Sequence, residues 1–240
     1  MYDAIETFQV ANLMVEIHHD PDPFNPREEY DNLGTMACWH RHYRLGDEQP
    51  TCSPDDYLMN PLSEEAQNRV GRCDRLIDEV PCFLGEDYRW HPAPKYAQRY
   101  ARLHSIRRAT IEADLERNYV ILPLWLYDHG GILMRTSAVS CGWDSGQVGI
   151  IHMSMEQARK EWSGSDKEIR AKAREYLTGE VEEYSMAISG QVYGYTISGE
   201  DGEVIDSCRG FLGWESVMEG ARDAAEHFVS TIPRQLELEI

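Results

Sequence analysis

Several common signatures are missing from this sequence, and each absence excludes a class of protein. No stretch approaches the roughly 18 consecutive apolar residues that a membrane-spanning helix needs, so no such helix is expected. The 6 cysteines form no C-x-x-C pair, which excludes a zinc ribbon and a thioredoxin-type motif. Neither G-x-G-x-x-G nor G-K-[ST] occurs, so no glycine loop for a phosphate is predicted and no cofactor is expected.

The amino terminus lacks the features of a secretory signal. It reads MYDAIETFQV, with no basic stretch and no apolar run behind it. We therefore expect a cytoplasmic protein with reduced cysteines.

Basic residues are also scarce. The chain has 42 Asp and Glu against 23 Lys and Arg, a net charge of −19. Residues 1–65 carry −11 and residues 164–240 carry −9, with a middle that is close to neutral. Such a field repels nucleic acid and membrane phosphates and attracts basic protein surfaces. The charge thus predicts no direct nucleic-acid or membrane partner and favours a partner with a basic groove; the alternative is that acidity only keeps the protein soluble.

The hydrophobic pattern predicts an α+β fold, with a mainly antiparallel sheet flanked by several helices. A continuous apolar run, YVILPLWLYD, is typical of a buried strand, and D-G and G-G turns mark hairpins. Helical spacing follows Ser63, and a second, basic helix contains Arg99, Arg102, Arg107 and Arg108. No linker or repeat divides the chain, so we expect one domain over 1–240, with an acidic loop region at about 20–65.

One polar segment suggests an enzyme. In YDHGGILMRTSAVSCGWDSGQVG, Cys141 or Ser145 is a candidate nucleophile, His129 a base and Asp128 or Asp144 its orienting carboxylate. The segment lacks the G-x-S-x-G nucleophile elbow, and Asp-Ser-Gly is also ordinary turn chemistry. A hydrolase or metal-dependent enzyme that uses this region is therefore the alternative to a binding protein.

A second polar segment contains metal-ligand chemistry. If TMACWHRHYRLG is one strand, Cys38, His40 and His42 share a face, and His18 and His19 lie one strand away. No fixed metal signature has this strand-borne spacing, so the structural alternative, a buried cysteine with surface histidines, is favoured and no metal is expected.

Four motifs together resemble a family of uncharacterised acidic proteins encoded by phages, plasmids and other mobile elements. They are YDNLGTMACWHRHYRLGD, ILPLWLYDHGGI, SCGWDSGQVG and IDSCRGF, and the resemblance covers about Tyr30 to Phe211. Arg209 and Gly142 stand where the family often has an aromatic residue and a proline. The family implies no catalytic residue.

The resemblance implies an accessory role for a mobile element. Small acidic proteins of such elements block host restriction, recombination or CRISPR complexes by occupying a nucleic-acid channel with carboxylates. The expected function is therefore an anti-defence protein that inhibits such a complex by mimicking nucleic acid. The candidate partner-binding carboxylates are Asp20, Asp22, Glu28, Glu29, Asp31, Asp47, Glu48, Asp55, Asp56, Glu180, Glu182 and Glu183.

Overall fold

The chain forms two compact units of nearly equal size. A computed structural model describes residues 3–138 and 145–236. The first unit comprises residues 1–32, 124–147 and 178–240, and the second unit comprises residues 33–123 and 148–177.

The described residues form antiparallel strands, mostly in consecutive pairs, and seven helices, which confirms the α+β prediction. The strands are β1 (Glu6–Val10), β2 (Leu13–His19), β3 (Thr35–Cys38), β4 (Cys82–Leu84), β5 (Trp90–Pro92), β6 (Tyr119–Asp128), β7 (Ile132–Arg135), β8 (Ser145–Ser154), β9 (Val192–Ser198) and β10 (Val204–Leu212). The helices are α1 (Pro26–Glu29), α2 (Pro54–Met59), α3 (Glu64–Asp78), α4 (Ala97–Asn118), α5 (Met155–Glu161), α6 (Asp166–Ile188) and α7 (Trp214–Leu236), with a short 3-10 turn at Pro94–Tyr96. The chain crosses between the units within β6, β8 and α6.

The core of the first unit is a sheet with one helix on its face. Its strand order is β1-β2-β9-β10, and all neighbours are antiparallel. Alternate residues of β2 and β9 point to one face, where α7 packs with small and β-branched side chains. The buried cluster at this contact is Leu13, Val15, Ile17, Tyr195, Ile197, Val217, Ala221 and Ala225.

The second unit contains an antiparallel pair of helices, α3 and α4. Ser63 caps α3, and its backbone N and hydroxyl both donate to the Asp114 carboxylate near the end of α4, at 2.9 and 2.6 Å. Burial raises the pKa of Asp114, but the hydrogen bonds from Ser63 and Asn118 and the charge of Arg117 together hold that pKa below its ordinary value. Leu62, Ala66, Val70 and Leu115 form the buried contact beside it.

A second sheet has the strand order β3-β8-β6-β7. In the second unit β3 pairs with β8, and in the first unit the end of β6 pairs with β7 across the Gly130 turn. The buried strand and the hairpin predicted at this point are both confirmed. Among the described residues, no helix is long and apolar enough to cross a membrane.

Three local predictions are wrong. The alternating apolar residues of ETFQVANLMVEIHHD predict a single strand that ends near Asp20. The segment before Asp20 is two strands, β1 and β2, because the chain turns at Ala11, whose φ is +53°. The acidic loop region contains α1 and α2, each with a proline in its first turn and a side-chain cap, Asn25 or Ser53. Prolines and clustered acids in this region predict an extended loop, but the missing N–H of a proline costs nothing in the first turn of a helix.

The third wrong prediction is the strand face shared by Cys38, His40 and His42. Strand β3 ends at Cys38, so the two histidines lie outside it. The chain instead turns there, with the backbone N–H groups of His42 and Tyr43 donating to His40 Nδ1 at 3.3 and 3.1 Å.

Candidate functional site

The twelve predicted carboxylates divide between the two units. Eight belong to the first unit and four to the second. Those of the first unit are Asp20, Asp22, Glu28, Glu29, Asp31, Glu180, Glu182 and Glu183, and those of the second unit are Asp47, Glu48, Asp55 and Asp56.

A buried ion pair joins the loop of residues 20–32, which carries five of these acids, to α6, which carries the other three. Arg27 of α1 donates from Nη1 to Glu180 Oε2 of α6 at 2.6 Å, and the two side chains are only 2% and 5% exposed. The same Nη1 donates to Asn32 Oδ1 at 2.9 Å. Glu180 is therefore not part of the exposed acidic surface, contrary to its predicted role; its role is to hold the loop of residues 20–32 against α6.

Side-chain hydrogen bonds give this loop one defined conformation. Asn25 caps α1, since its Oδ1 accepts from Arg27 N at 3.0 Å and its Nδ2 donates to Glu28 Oε1 at 2.9 Å. Asn32 Nδ2 donates to the carbonyl oxygens of Pro26 and Tyr30 at 2.8 and 2.9 Å. The backbone is therefore fixed at both ends of α1, and the Glu28 carboxylate is held by Asn25 in the free protein.

Four exposed carboxylates belong to this loop and to α6, and we call them the acidic patch: Glu28, Glu29, Asp31 and Glu183. Partial burial, followed by repulsion from Glu180, raises the pKa of Glu183. Glu183 in turn lies close enough to Tyr30 to add to the effect of burial in raising the pKa of that phenol. These mutual effects show that the loop and the α6 carboxylates are neighbours, as a shared anionic surface requires.

The remaining acids of the first unit have other surroundings. Asp20 is half-buried and stabilises a turn, accepting from Gly210 N with one oxygen and from Asp22 N with the other, both at 3.0 Å. Glu182 lines a groove of about 600 Å³ beside Arg135. Only part of the predicted set is thus available to a partner at the patch.

The four acids of the second unit make internal contacts. Asp47 Oδ2 accepts from Met36 N at 2.7 Å, and Asp56 Oδ2 accepts from the hydroxyl of Ser53, the cap of α2, at 2.7 Å. Asp55 lines a groove of about 500 Å³ with the basic side chains of α4. The hydrogen bond and charge of Glu112, and to a smaller extent the charge of Asp55, raise the pKa of Arg108 there. Glu48 accepts from Tyr57, within a cluster that the sequence did not predict.

That cluster joins a carboxylate, a phenol and an imidazole. The Tyr57 hydroxyl donates to Glu48 Oε2 at 2.8 Å and lies 3.0 Å from His152 Nε2. Since the phenol proton points to Glu48, the matching tautomer of His152 donates from Nε2 to the phenol oxygen. Burial, then the hydrogen bond to Glu48, raises the pKa of Tyr57; burial lowers the pKa of His152, against the opposing carboxylates of Glu48 and Asp47. Tyr57 and His152 are 95 residues apart in the sequence, so no local motif predicts the cluster.

The structure describes only some of the residues predicted to be catalytic. Cys141 and Asp144 lie outside the described residues. His129 is exposed in the β6–β7 turn, with its N–H 3.3 Å from Gly131 O and its ring 6.4 Å from that of Tyr127, and Ser145 begins β8. The proposed nucleophile and base therefore stay a prediction.

No metal site is found where the chain is described: no group of three or more His, Cys, Asp or Glu side chains there is arranged to hold an ion. Cys38 is buried, and the His40 ring stacks on Tyr43 at 4.9 Å.

Comparison of the chain with protein-family models, with curated proteins and with solved structures finds no match.

Proposed function

We propose that this protein is a non-catalytic anti-defence protein of a mobile element. It binds a host nucleic-acid-handling complex of the restriction or CRISPR type and blocks the basic groove that normally receives nucleic acid. The acidic patch on the first unit takes the place of the phosphates.

The observation that carries this proposal is the distribution of charge. The first unit has 23 acids against 5 bases, a net charge of −18, whereas the second has 19 acids against 18 bases, a net charge of −1. One of the few bases of the first unit, Arg27, is buried against Glu180. The first unit therefore exposes a strongly anionic surface, which steers association with a basic partner.

The rigidity of the patch supports the same conclusion. A mimic must hold its carboxylates in place, because ordering flexible side chains and loops on binding consumes affinity. The Arg27–Glu180 pair and the Asn25 and Asn32 hydrogen bonds provide that order in the free protein.

The experiment combines a protection assay with a binding assay. Cells that express the protein are challenged with phage while the host defence is active, and the tagged protein is recovered from lysate at about 50 mM and about 500 mM salt, where screening differs strongly. We expect protection, and a nucleic-acid-binding complex recovered at low salt only. Reversal of the patch with Glu28→Lys, Glu29→Lys, Asp31→Lys and Glu183→Lys should abolish both.

A matched control makes the same change of charge on the second unit. Asp78→Lys, Glu116→Lys, Glu161→Lys and Glu175→Lys alter exposed carboxylates and should preserve protection and binding. Loss of activity in both variants would indicate a requirement for net charge alone, and activity of the patch variant would refute the mimic.

The second candidate is an enzyme, and the Tyr57–His152–Glu48 cluster is the observation that favours it. With Nε2–H donated to the Tyr57 oxygen, the neutral imidazole of His152 would accept a proton at Nδ1 as a general base. Under this alternative, Tyr57→Phe and His152→Gln abolish protection while the fold and partner binding persist. Under the binding proposal both variants protect, and His129→Ala tests the other predicted region in the same assay.

A further inference from the structure

A small hairpin at one end of the α3–α4 helix pair exposes large apolar side chains. β4 and β5 connect these helices, and the base of the hairpin is closed by a hydrogen bond from Ala93 N to Pro81 O at 2.8 Å and by the Arg99–Glu79 ion pair at 3.8 Å. The exposed fractions are 49% for Phe83, 53% for Leu84, 87% for Tyr88 and 70% for Trp90.

The hairpin has apolar residues on both faces and no core of its own. Leu84 pairs across the strands with Trp90, and Phe83 pairs with His91 at a ring distance of 5.9 Å. Since successive side chains of a strand point to opposite faces, one face carries the exposed apolar pair Leu84–Trp90 and the other carries Phe83 beside the imidazole of His91. No third described strand extends this sheet. A two-stranded hairpin is at best marginally stable in water, so this one gains stability when a partner covers it.

The chain beside the hairpin is basic. The hairpin loop itself carries Glu86 and Asp87, of which Asp87 pairs with His91 at 2.8 Å, whereas residues 88–108 contain six Lys and Arg and no acid. Lys95 and Arg102 are exposed, and neither forms a salt bridge with a described residue. We call the surface formed by Phe83, Leu84, Tyr88, Trp90, Lys95 and Arg102 the tip.

We propose that the tip docks onto the acidic first unit of a second copy of this chain. Exposed aromatics at the centre and cations at the rim are the composition of a protein interface, with the aromatics as anchors. A complementary surface is present on the same chain, because the first unit carries −18. Contact between two tips would instead place like charges together, which is unfavourable.

The proposed dimer is reciprocal, with the tip of each copy on the first unit of the other. This arrangement has two-fold symmetry, the commonest symmetry of soluble oligomers. Single-stranded nucleic acid also binds surfaces that combine aromatics with cations. The net charge of −19 opposes that partner, and the experiment separates the two.

The test is sedimentation velocity on the full chain over a concentration series, at about 50 mM and about 500 mM salt. We expect a dimer at low salt that dissociates more readily at high salt. Trp90→Asp, Tyr88→Ala and the pair Lys95→Glu with Arg102→Glu should each weaken the dimer by about tenfold or more, as for the loss of an interface anchor. Tyr176→Ala and Arg72→Glu change exposed residues elsewhere and should leave the dimer intact.

Two outcomes would overturn the proposal: a monomer at every concentration, or a dimer that the tip variants do not affect. Fluorescence anisotropy with labelled single-stranded DNA of about 20 nucleotides is measured in parallel. Tip-dependent binding of that DNA by a monomeric protein would assign the tip to nucleic acid and would also refute dimerisation. Circular dichroism confirms that each variant is folded. The tip variants are expected to retain the host-complex binding proposed above, so the two proposals fail separately.

Discussion

The two units of this protein are almost equal in length and very different in charge. The first spans 119 residues with a net charge of −18, and the second spans 121 residues with a net charge of −1. All four lysines belong to the second unit, where ion pairs such as Arg107–Asp74 at 2.7 Å connect its helices. The acidity of the chain is therefore not spread evenly but is concentrated in the first unit.

The units also differ in how they use a buried carboxylate. In the first, Glu180 neutralises a buried guanidinium and holds a loop. In the second, Asp114 accepts two hydrogen bonds from Ser63 and joins two helix ends. The following predictions perturb each unit in turn, from the largest expected effect to the smallest.

Glu180→Ala should have the largest effect. It leaves the Arg27 guanidinium buried without its partner, and breaking a buried ion pair in this way costs about 3–5 kcal/mol in the free energy of unfolding. Urea denaturation measures the loss, and amide hydrogen exchange should show it mainly in the first unit. Glu182→Ala, two residues away and exposed, is the control. A loss below about 1 kcal/mol would mean that the pair does not hold the loop.

Ser63→Ala should destabilise the second unit by about 1–2 kcal/mol, the usual cost of losing a helix cap. It also removes the 2.6 Å hydrogen bond to Asp114, so faster amide exchange should appear in α3 and α4. Ser53→Ala removes the cap of the shorter helix α2 and serves as the comparison. Equal acceleration of exchange in both units would contradict the independence of their stabilities.

His152 should produce a smaller, pH-dependent effect. Its pKa in the folded protein is below the ordinary value because the ring is buried, so the unfolded chain binds the proton more readily. Its contribution to stability is therefore fully present above about pH 6.5 and is lost as the pH falls below that value toward the folded pKa. Urea denaturation from neutral to mildly acid pH should show a shallower decline for His152→Gln than for the native chain. Parallel curves would contradict this assignment.

Salt should have the smallest effect. Repulsion among the carboxylates of the first unit is screened at high ionic strength, whereas the second unit has little net charge to screen. Raising the salt should therefore slow amide exchange in the first unit more than in the second. Exchange of both units is read in one sample, so each serves as the control for the other. Equal slowing would show that the difference in charge has no effect on stability.

Much of the fold follows from patterns that act over short distances. Ser63 and Ser154 mark the starts of α3 and α5. Each side chain accepts the capping hydrogen bond from the backbone N–H three residues on. The alternation of β2 and the turn after Gly199 predict strands, because side-chain period and turn chemistry are local. Ala11 was missed, since a turn without glycine carries a weak signal, and the tip hairpin was missed because its strands have only three residues each.

The candidate site was less predictable, and the reason is distance along the chain. The sequence predicts Glu28, Glu29, Asp31 and Glu183 as partner-binding carboxylates. It predicts the same role for Glu180, which is buried. Arg27 and Glu180 are 153 residues apart, and nothing local indicates that they meet.

Composition and short-range pattern by themselves determined three things about this protein: its acidity, its α+β class and the position of most helices and strands. Charge is a sum over residues, and secondary structure depends on neighbours a few positions apart, so both are contained in the linear sequence. Only the tertiary structure decided which carboxylates are exposed, that −18 of the charge belongs to one unit, and that Tyr57, Glu48 and His152 form one cluster. Burial and pairing depend on contacts between residues far apart in the chain, and those contacts exist only after folding.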